Sequence, residues 1–206
     1  MSKILAEQLP FSQACENNKR PILAILKSAF APCKQVLEIG SGTGQHAVYF
    51  AQNLPHLKWH PSDREVESSG LRLRVKHALN VASPVEFDVS ESPWPHPGID
   101  AVFSANTAHI MPWRITLLML NRVADTLPEN GVFVLYGPFN YNGSYSSPSN
   151  AEFDQWLIAR DHQQGIRDIE RVRDAVESRG MLLVKDHEMP SNNRLLVWKK
   201  ISANML

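Results

Sequence analysis

The stretch Val36–His46, VLEIGSGTGQH, sets three glycines, Gly40, Gly42 and Gly44, behind a short apolar run. Glycine has no Cβ, so the backbone can turn sharply and a ligand can approach it closely. The helix expected to start near Gln45 adds free N–H groups and the positive end of its dipole. A phosphate loop would need G-x-x-x-x-G-K-[ST], and no lysine stands at the helix start. A dinucleotide fingerprint, G-x-G-x-x-G, would need glycine where the chain has Gln45, with Gly44 one place early. A third pattern, E-x-G-x-G-x-G from Glu38 to Gly44, is met at every position.

Outward from this loop, short β-branched runs alternate with helical stretches. QVLEI (35–39), LKWHP (57–61), VEFDV (85–89), IDAVFSA (99–105) and GVFVLYG (131–137) read as strands. A helix from about Gln45 ends at Pro55, a second spans 64–79, and a third, 112–127, opens on proline. The tail, 149–180, reads as mostly helical from a Ser/Asn cap to Gly180. MLLVKDHEM and RLLVWKK then form two strands joined by PSNN, an antiparallel pair. Near the start, Pro21 suits the first turn of a helix whose apolar face is ILAIL. The pattern predicts one α/β domain over 1–206, with residues 1–30 as a helical cap and a mostly parallel sheet covered on both faces. Ligands in such sheets bind at the carboxyl ends of the strands, near the switch point.

Those strand ends carry the candidate residues. Asp63 follows the second strand, nineteen residues beyond Gly44, where a carboxylate can accept from both hydroxyls of a ribose. Asp88 follows the third. Each also has an ordinary structural reading, Asp63 as a helix N-cap and Asp88 as a turn residue. Behind the fourth strand, Asn106 can orient an acceptor through its amide, and His109 can take a proton near neutral pH. The long loop after the fifth strand holds Phe139, Tyr141 and Tyr145, which can wall a pocket or simply cover the sheet edge. Asn106, His109 and Tyr141 are the candidates for catalysis.

The E-x-G-x-G-x-G loop with Asp63 and Asp88 resembles the motifs of class I S-adenosylmethionine-dependent methyltransferases. ENNKRPIL, EIGSGTGQHAVYFA, WHPSD, NTAHIMPW and YGPFNYNG together resemble the domain-of-unknown-function 938 family of small methyltransferase-like chains. The resemblance implies a Rossmann-like, seven-stranded sheet with an antiparallel last strand, and S-adenosyl-L-methionine as cofactor. It places the methionine half of the cofactor in the glycine loop, its amino group near Glu38, and its adenine amino group at Asp88. The implied cofactor-binding set is Glu38, Gly40, Ser41, Gly42, Gly44, His46, Asp63, Asp88, Val89 and Asn106. An N-terminal helix lying over the cofactor adds Arg20, with Asn18 and Lys19 beside it.

Composition narrows the acceptor. Lys plus Arg and Asp plus Glu number 21 each, so no basic excess draws the chain onto phosphate backbones. The segment after the fourth strand also lacks the N/D-P-P-[YF] pattern of many enzymes that methylate amino groups of nucleic acids and proteins. Cys15 and Cys33 form no C-x-x-C pair, and His46, His56, His60 and His77 follow no metal-ligand spacing, which makes them surface or capping residues and predicts no metal. No secretory core or membrane-length apolar run is present in the sequence, which predicts a cytoplasmic setting without membrane contact. The expectation is a methyltransferase acting on a small molecule, monomeric or homodimeric, with no nucleic-acid partner. The alternative is a non-catalytic protein that binds S-adenosylmethionine or S-adenosylhomocysteine. A nicotinamide-dependent dehydrogenase is disfavoured by Gln45 and by the missing substrate domain.

Overall fold

A computed structural model describes residues 9–66 and 70–202. In chain order these form α1 (Gln13–Ala29), β1 (Gln35–Ile39), α2 (Gln45–Asn53), β2 (Lys58–Asp63), α3 (Leu71–Val75), β3 (Val85–Glu86) and β4 (Ala101–Ala105). There follow α4 (Trp113–Thr126), β5 (Val132–Gly137), β6 (Phe139–Asn140), α5 (Pro148–Arg160), β7 (Arg167–Asp168), α6 (Ile169–Glu177), β8 (Met181–Met189) and β9 (Asn193–Lys200).

Seven strands make one sheet in the order β3-β2-β1-β4-β5-β9-β8. β1 to β5 are parallel, and β9 runs antiparallel between β5 and β8. This is the Rossmann-like class I methyltransferase arrangement, and the antiparallel last strand is as expected. β6 and β7 form a separate two-residue parallel pair.

Strand alternation sorts the apolar residues into two cores. Val36, Trp59, Phe103, Val132 and Val134 face the layer of α1 and α2, where they meet Ile22, Leu26 and Phe50. Leu37, Val102, Phe133, Leu135 and Trp198 face α4 and α6, where they meet Met119, Leu120, Val123 and Val172. β1 therefore lies between β2, reached through α2 on one face, and β4, whose chain leaves through α4 on the other. The switch point falls between the carboxyl ends of β1 and β4.

Four expectations need correction. Pro21 is not in a first turn but well inside α1, which begins at the Ser12 cap. Its missing N–H leaves the carbonyl of Asn17, on an exposed turn, without an intrahelical donor. The second predicted helix is, among the described residues, only Leu71–Val75, entered through Gly70 at φ 70°. The third strand pairs over Val85–Glu86 alone, because Asp88 turns the chain. The tail helix is broken into α5 and α6. Gly165, at φ +146°, admits the Asp154 carboxylate, whose Oδ1 accepts the Ile166 N–H at 2.6 Å. A Cβ at Gly165 would lie 3.0 Å from that oxygen.

Candidate functional site

The glycine loop is built on β2. The N–H groups of Gly40 and Ser41 both donate to the Ser62 carbonyl, at 3.0 and 2.9 Å. Ser41 Oγ accepts from Ser62 N–H at 3.1 Å and donates to Glu38 Oε2 at 2.9 Å. Trp59 Nε1 donates to the same carboxylate oxygen at 2.9 Å. Glu38 shares the face of Val36, and only 2% of it reaches solvent. Burial raises its pKa to about 7 against these two donors. Gly40, Gly42 and Gly44 all take positive φ. A Cβ at Gly40 would lie 2.4 Å from Thr107 Cγ2, so this glycine lets the loops after β1 and β4 touch. A Cβ at Gly42 would meet nothing within 4 Å, which leaves that side of the loop open to a ligand.

Asp63 and Asp88 stand at the ends of β2 and β3, along the same edge of the sheet. Asp63 Oδ2 accepts the Gly42 N–H at 2.7 Å, and Oδ1 accepts the Glu65 N–H at 3.3 Å. Asp63 is thus a buttress of the glycine loop rather than a helix cap. A carboxylate has about four lone-pair sites, so it keeps acceptor capacity for hydroxyl groups. Asp88 has the turn role: Oδ1 accepts from Ser90 N–H and Oγ at 2.7 and 2.5 Å, while Oδ2 pairs with Arg64 Nε at 2.9 Å. The Ser90 hydrogen bonds are the main reason its pKa lies below the ordinary carboxylate value. Val89 is buried beside it.

Across the switch point, Asn106 sits at φ 58° with its N–H on the Tyr136 carbonyl at 2.9 Å. Asparagine tolerates this left-handed conformation better than most residues. His109 is buried between the end of β5 and the middle of α5. A Cβ on Gly137 would lie 3.5 Å from Nδ1, and the Phe153 ring stands edge-on at 5.4 Å. Burial, reinforced by Arg167, lowers the His109 pKa to about 4, so the imidazole is neutral at physiological pH. Arg167 holds the surrounding loop by its backbone, donating to the carbonyls of Ala108 (2.9 Å), Met111 and Gln163.

Strand ends usually leave backbone groups unpaired. Among the described residues, the N–H groups of Thr43 after β1, Val89 after β3 and Thr107 after β4 have no hydrogen-bond partner. A ligand lying along the edge can use all three.

Several expected residues are placed elsewhere. His46 is buried against α1, with Nε2 2.7 Å from Asn18 Oδ1 and its ring stacked on Phe50. Burial lowers its pKa to about 4, and it ties α1 to α2 instead of facing the loop. His60 is also inside, not at the surface. Arg20 is exposed, two residues and about 200° around α1 from buried Asn18. Lys19 pairs with Glu16 and lies over the Tyr49 ring. Tyr141 is withdrawn from acid–base work: its hydroxyl donates to Asp186 Oδ2 at 2.6 Å, and burial together with that carboxylate raises its pKa. Phe139 belongs to the core, and the Tyr145 hydroxyl donates to Asp154 at 2.7 Å. Among the described residues, no three His, Cys, Asp or Glu side chains come together as metal ligands.

Sequence reasoning missed two supports of the site. Gln45 fastens the start of α1 to the glycine loop: Oε1 accepts the Ser12 N–H at 2.6 Å and the Thr43 hydroxyl at 3.0 Å. Arg74 of α3 donates to the carbonyls of Thr43 at 2.6 Å and Pro10 at 2.5 Å. Gln45 was visible as a departure from the dinucleotide pattern, whereas nothing local in the sequence marks Arg74.

A sequence-family profile described as protein of unknown function (DUF938) matches residues 9–200. Among solved structures, human N-acetylserotonin methyltransferase in complex with SAM superposes with a TM-score of 0.79 at 14% identity, over 92% of this chain and 53% of that one. An O-methyltransferase family protein from Burkholderia thailandensis gives 0.77 at 14% identity, over 90% and 57%. The S-adenosylmethionine-dependent methyltransferase SibL gives 0.76 at 18% identity, over 91% and 56%. The chain spans just over half the length of these proteins, and the likeness is one of fold.

Proposed function

We propose that this chain, which belongs to the DUF938 family, is an S-adenosylmethionine-dependent methyltransferase acting on a small-molecule acceptor. The observation that carries this reading is the order of groups along one sheet edge. The open side of Gly42, the Asp63 carboxylate and the unpaired Val89 N–H follow one another from β1 to β3, and Asn106 and His109 stand across the switch point. That sequence of groups suits an elongated nucleoside ligand whose reacting end lies between β1 and β4.

When bound, the cofactor supplies a methyl group activated by a sulfonium centre. The chain's task is alignment and exclusion of water. Thr43 and the Gly42 side of the loop receive the amino-acid half, with Glu38 beneath them. Asp63 accepts from the ribose hydroxyls while it still holds Gly42. The Asp88–Val89 turn receives the base. On the acceptor side, Asn106 orients the nucleophile, and neutral His109 takes its proton at a ring nitrogen.

Calorimetric titration with S-adenosylhomocysteine tests the cofactor reading. The native protein should bind, and Asp63→Asn, which keeps an acceptor for Gly42, should bind about tenfold more weakly. No binding by the native protein rejects the reading. Transfer of a labelled methyl group to an acceptor in a metabolite extract, lost in His109→Asn, separates an enzyme from a protein that only binds the nucleoside.

A further inference from the structure

The turn that follows β3 is held from behind by a residue of α4, far away in sequence. Arg122 Nη1 donates to the Val89 carbonyl at 2.6 Å, and Nη2 donates to the Ser92 carbonyl at 2.8 Å. Its guanidinium lies over the rings of Phe87, 5.4 Å from the centroid, and Trp94, 6.0 Å away. Those rings meet edge to face at 5.9 Å. Among the described residues no carboxylate pairs with Arg122, so its charge is spent on two backbone oxygens and two aromatic faces.

Within the turn, the Glu91 and Ser92 N–H groups donate to the Asp88 carbonyl at 3.3 and 2.9 Å. Ser92 Oγ accepts the Asp88 N–H at 3.1 Å. Ser90 N–H is taken by the Asp88 carboxylate. Every backbone N–H from Asp88 to Ser92 is therefore satisfied except that of Val89. A planar fork bonded to two carbonyls fixes the orientation of the peptides that bear them, which an ammonium point charge does not do. Val89 N–H shares a peptide with the Asp88 carbonyl, which the Glu91 and Ser92 N–H groups hold. Arg122 fixes the next peptide, Val89–Ser90, and the one after Ser92, and so holds the frame in which Val89 N–H is presented.

We propose that Arg122 is a positioning residue for purine selection: by clamping the carbonyls of Val89 and Ser92 it fixes the Asp88–Val89 turn in the orientation that distinguishes a 6-amino from a 6-oxo purine. This rests on the proposed cofactor reading, which places the base at that turn. An amino-bearing edge presents a donor and an acceptor in a fixed order, and the 6-oxo base reverses it. A turn held rigid rejects the reversed pattern because a buried polar group is left unpaired. A turn free to rotate its peptides adapts to both.

The test titrates the full-length native protein, Arg122→Lys and Arg122→Met with S-adenosylhomocysteine and with S-inosylhomocysteine, and records thermal unfolding of each. The native protein should prefer the adenosyl compound by about tenfold or more, the value of one hydrogen bond to a charged or buried group. Arg122→Met should bring the two affinities within about threefold, and Arg122→Lys, which keeps charge without the fork, should fall between. A purely structural residue would weaken both ligands equally. An unchanged ratio in folded variants overturns the proposal. Failure of the native protein to bind either compound overturns the cofactor reading, and this inference with it. If Arg122→Met does not fold, hydrogen exchange at Ser90 and Ser92 in Arg122→Lys decides: faster exchange there than in α4 supports the clamp, and unchanged exchange overturns it.

Discussion

The Gln45 side chain and the Ser12 backbone exchange two hydrogen bonds, Ser12 N–H to Oε1 at 2.6 Å and Nε2 to the Ser12 carbonyl at 3.3 Å. The same amide oxygen accepts the Thr43 hydroxyl, so the start of α1 and the glycine loop share one side chain. Gln45→Gly, which would complete a dinucleotide fingerprint, should instead release the segment that precedes α1. The expected cost is about 1–3 kcal/mol of stability, read by denaturant unfolding. Amide exchange should rise at Ser12, Cys15 and Glu16 before it rises in the sheet.

Glu38 gives the cofactor reading a proton signature. Its folded pKa is raised to about 7 by burial, so near that pH a large fraction of it carries a proton. A ligand that presents an ammonium group above Glu38 favours the carboxylate. S-adenosylhomocysteine binding should therefore release protons and strengthen as pH rises through about 7. Titrations in buffers of different ionisation enthalpy measure the release, which should vanish in Glu38→Gln.

Three histidines oppose Glu38 in the pH dependence of stability. His46, His60 and His109 all have folded pKa values lowered to about 4 by burial. Between about 4 and the ordinary imidazole value of 6.5, the unfolded chain binds more protons at these sites, and stability rises with pH. Glu38, with its pKa raised from 4.5 to about 7, works in the other direction over much of that window. His96 and His187, whose pKa values burial also lowers, act with these three. Five histidines against one carboxylate predict a net gain in unfolding temperature from about pH 4.5 to 6.5, and His46→Gln should flatten that rise.

Arg167 supplies the field at His109 as well as the shape of its loop. Removing the guanidinium in Arg167→Met should raise the His109 pKa, because the neighbouring positive charge lowers it. The imidazole signals in an NMR titration should move to higher pH. Any methyl transfer that depends on neutral His109 should lose activity first on the acid side.

Gly40→Ala meets two penalties, a backbone at φ +78° and a Cβ 2.4 Å from Thr107 Cγ2. Thr107→Ser removes the methyl group and keeps the hydroxyl that lies 2.7 Å from Ser104 Oγ. The double variant should recover about 1–2 kcal/mol of the loss from the single alanine substitution, since relief of overpacking is worth that much and strain at φ remains. Denaturant melts of the four proteins give the coupling.

The backbone plan was legible because periodicity, glycines and prolines report local geometry. Loop, strand ends and the antiparallel pair of β8 and β9 follow from such signals, and they bring Gly40, Asp63, Asp88 and Asn106 to one edge. What stayed hidden was long-range pairing between side chain and backbone. Tyr141 looked available until Asp186, 45 residues later, proved to hold its hydroxyl. His46 looked like a ligand contact until α1 covered it with Asn18. Arg74, Arg122 and Arg167 hold loops by carbonyl oxygens, and a carbonyl leaves no mark on the residue type that bears it.

The position of β9 between β5 and β8 bears on how the protein is made. Leu195, Leu196 and Trp198 are fully buried in the interior, yet they are among the last described residues to be synthesised. Until they emerge from the ribosome, β5 presents an unpaired edge beside Phe133 and Leu135, and β8 has no partner at all. The nascent chain must keep that edge from pairing with other strands. A stop codon before β9 would therefore release an aggregation-prone sheet, not a shortened methyltransferase fold.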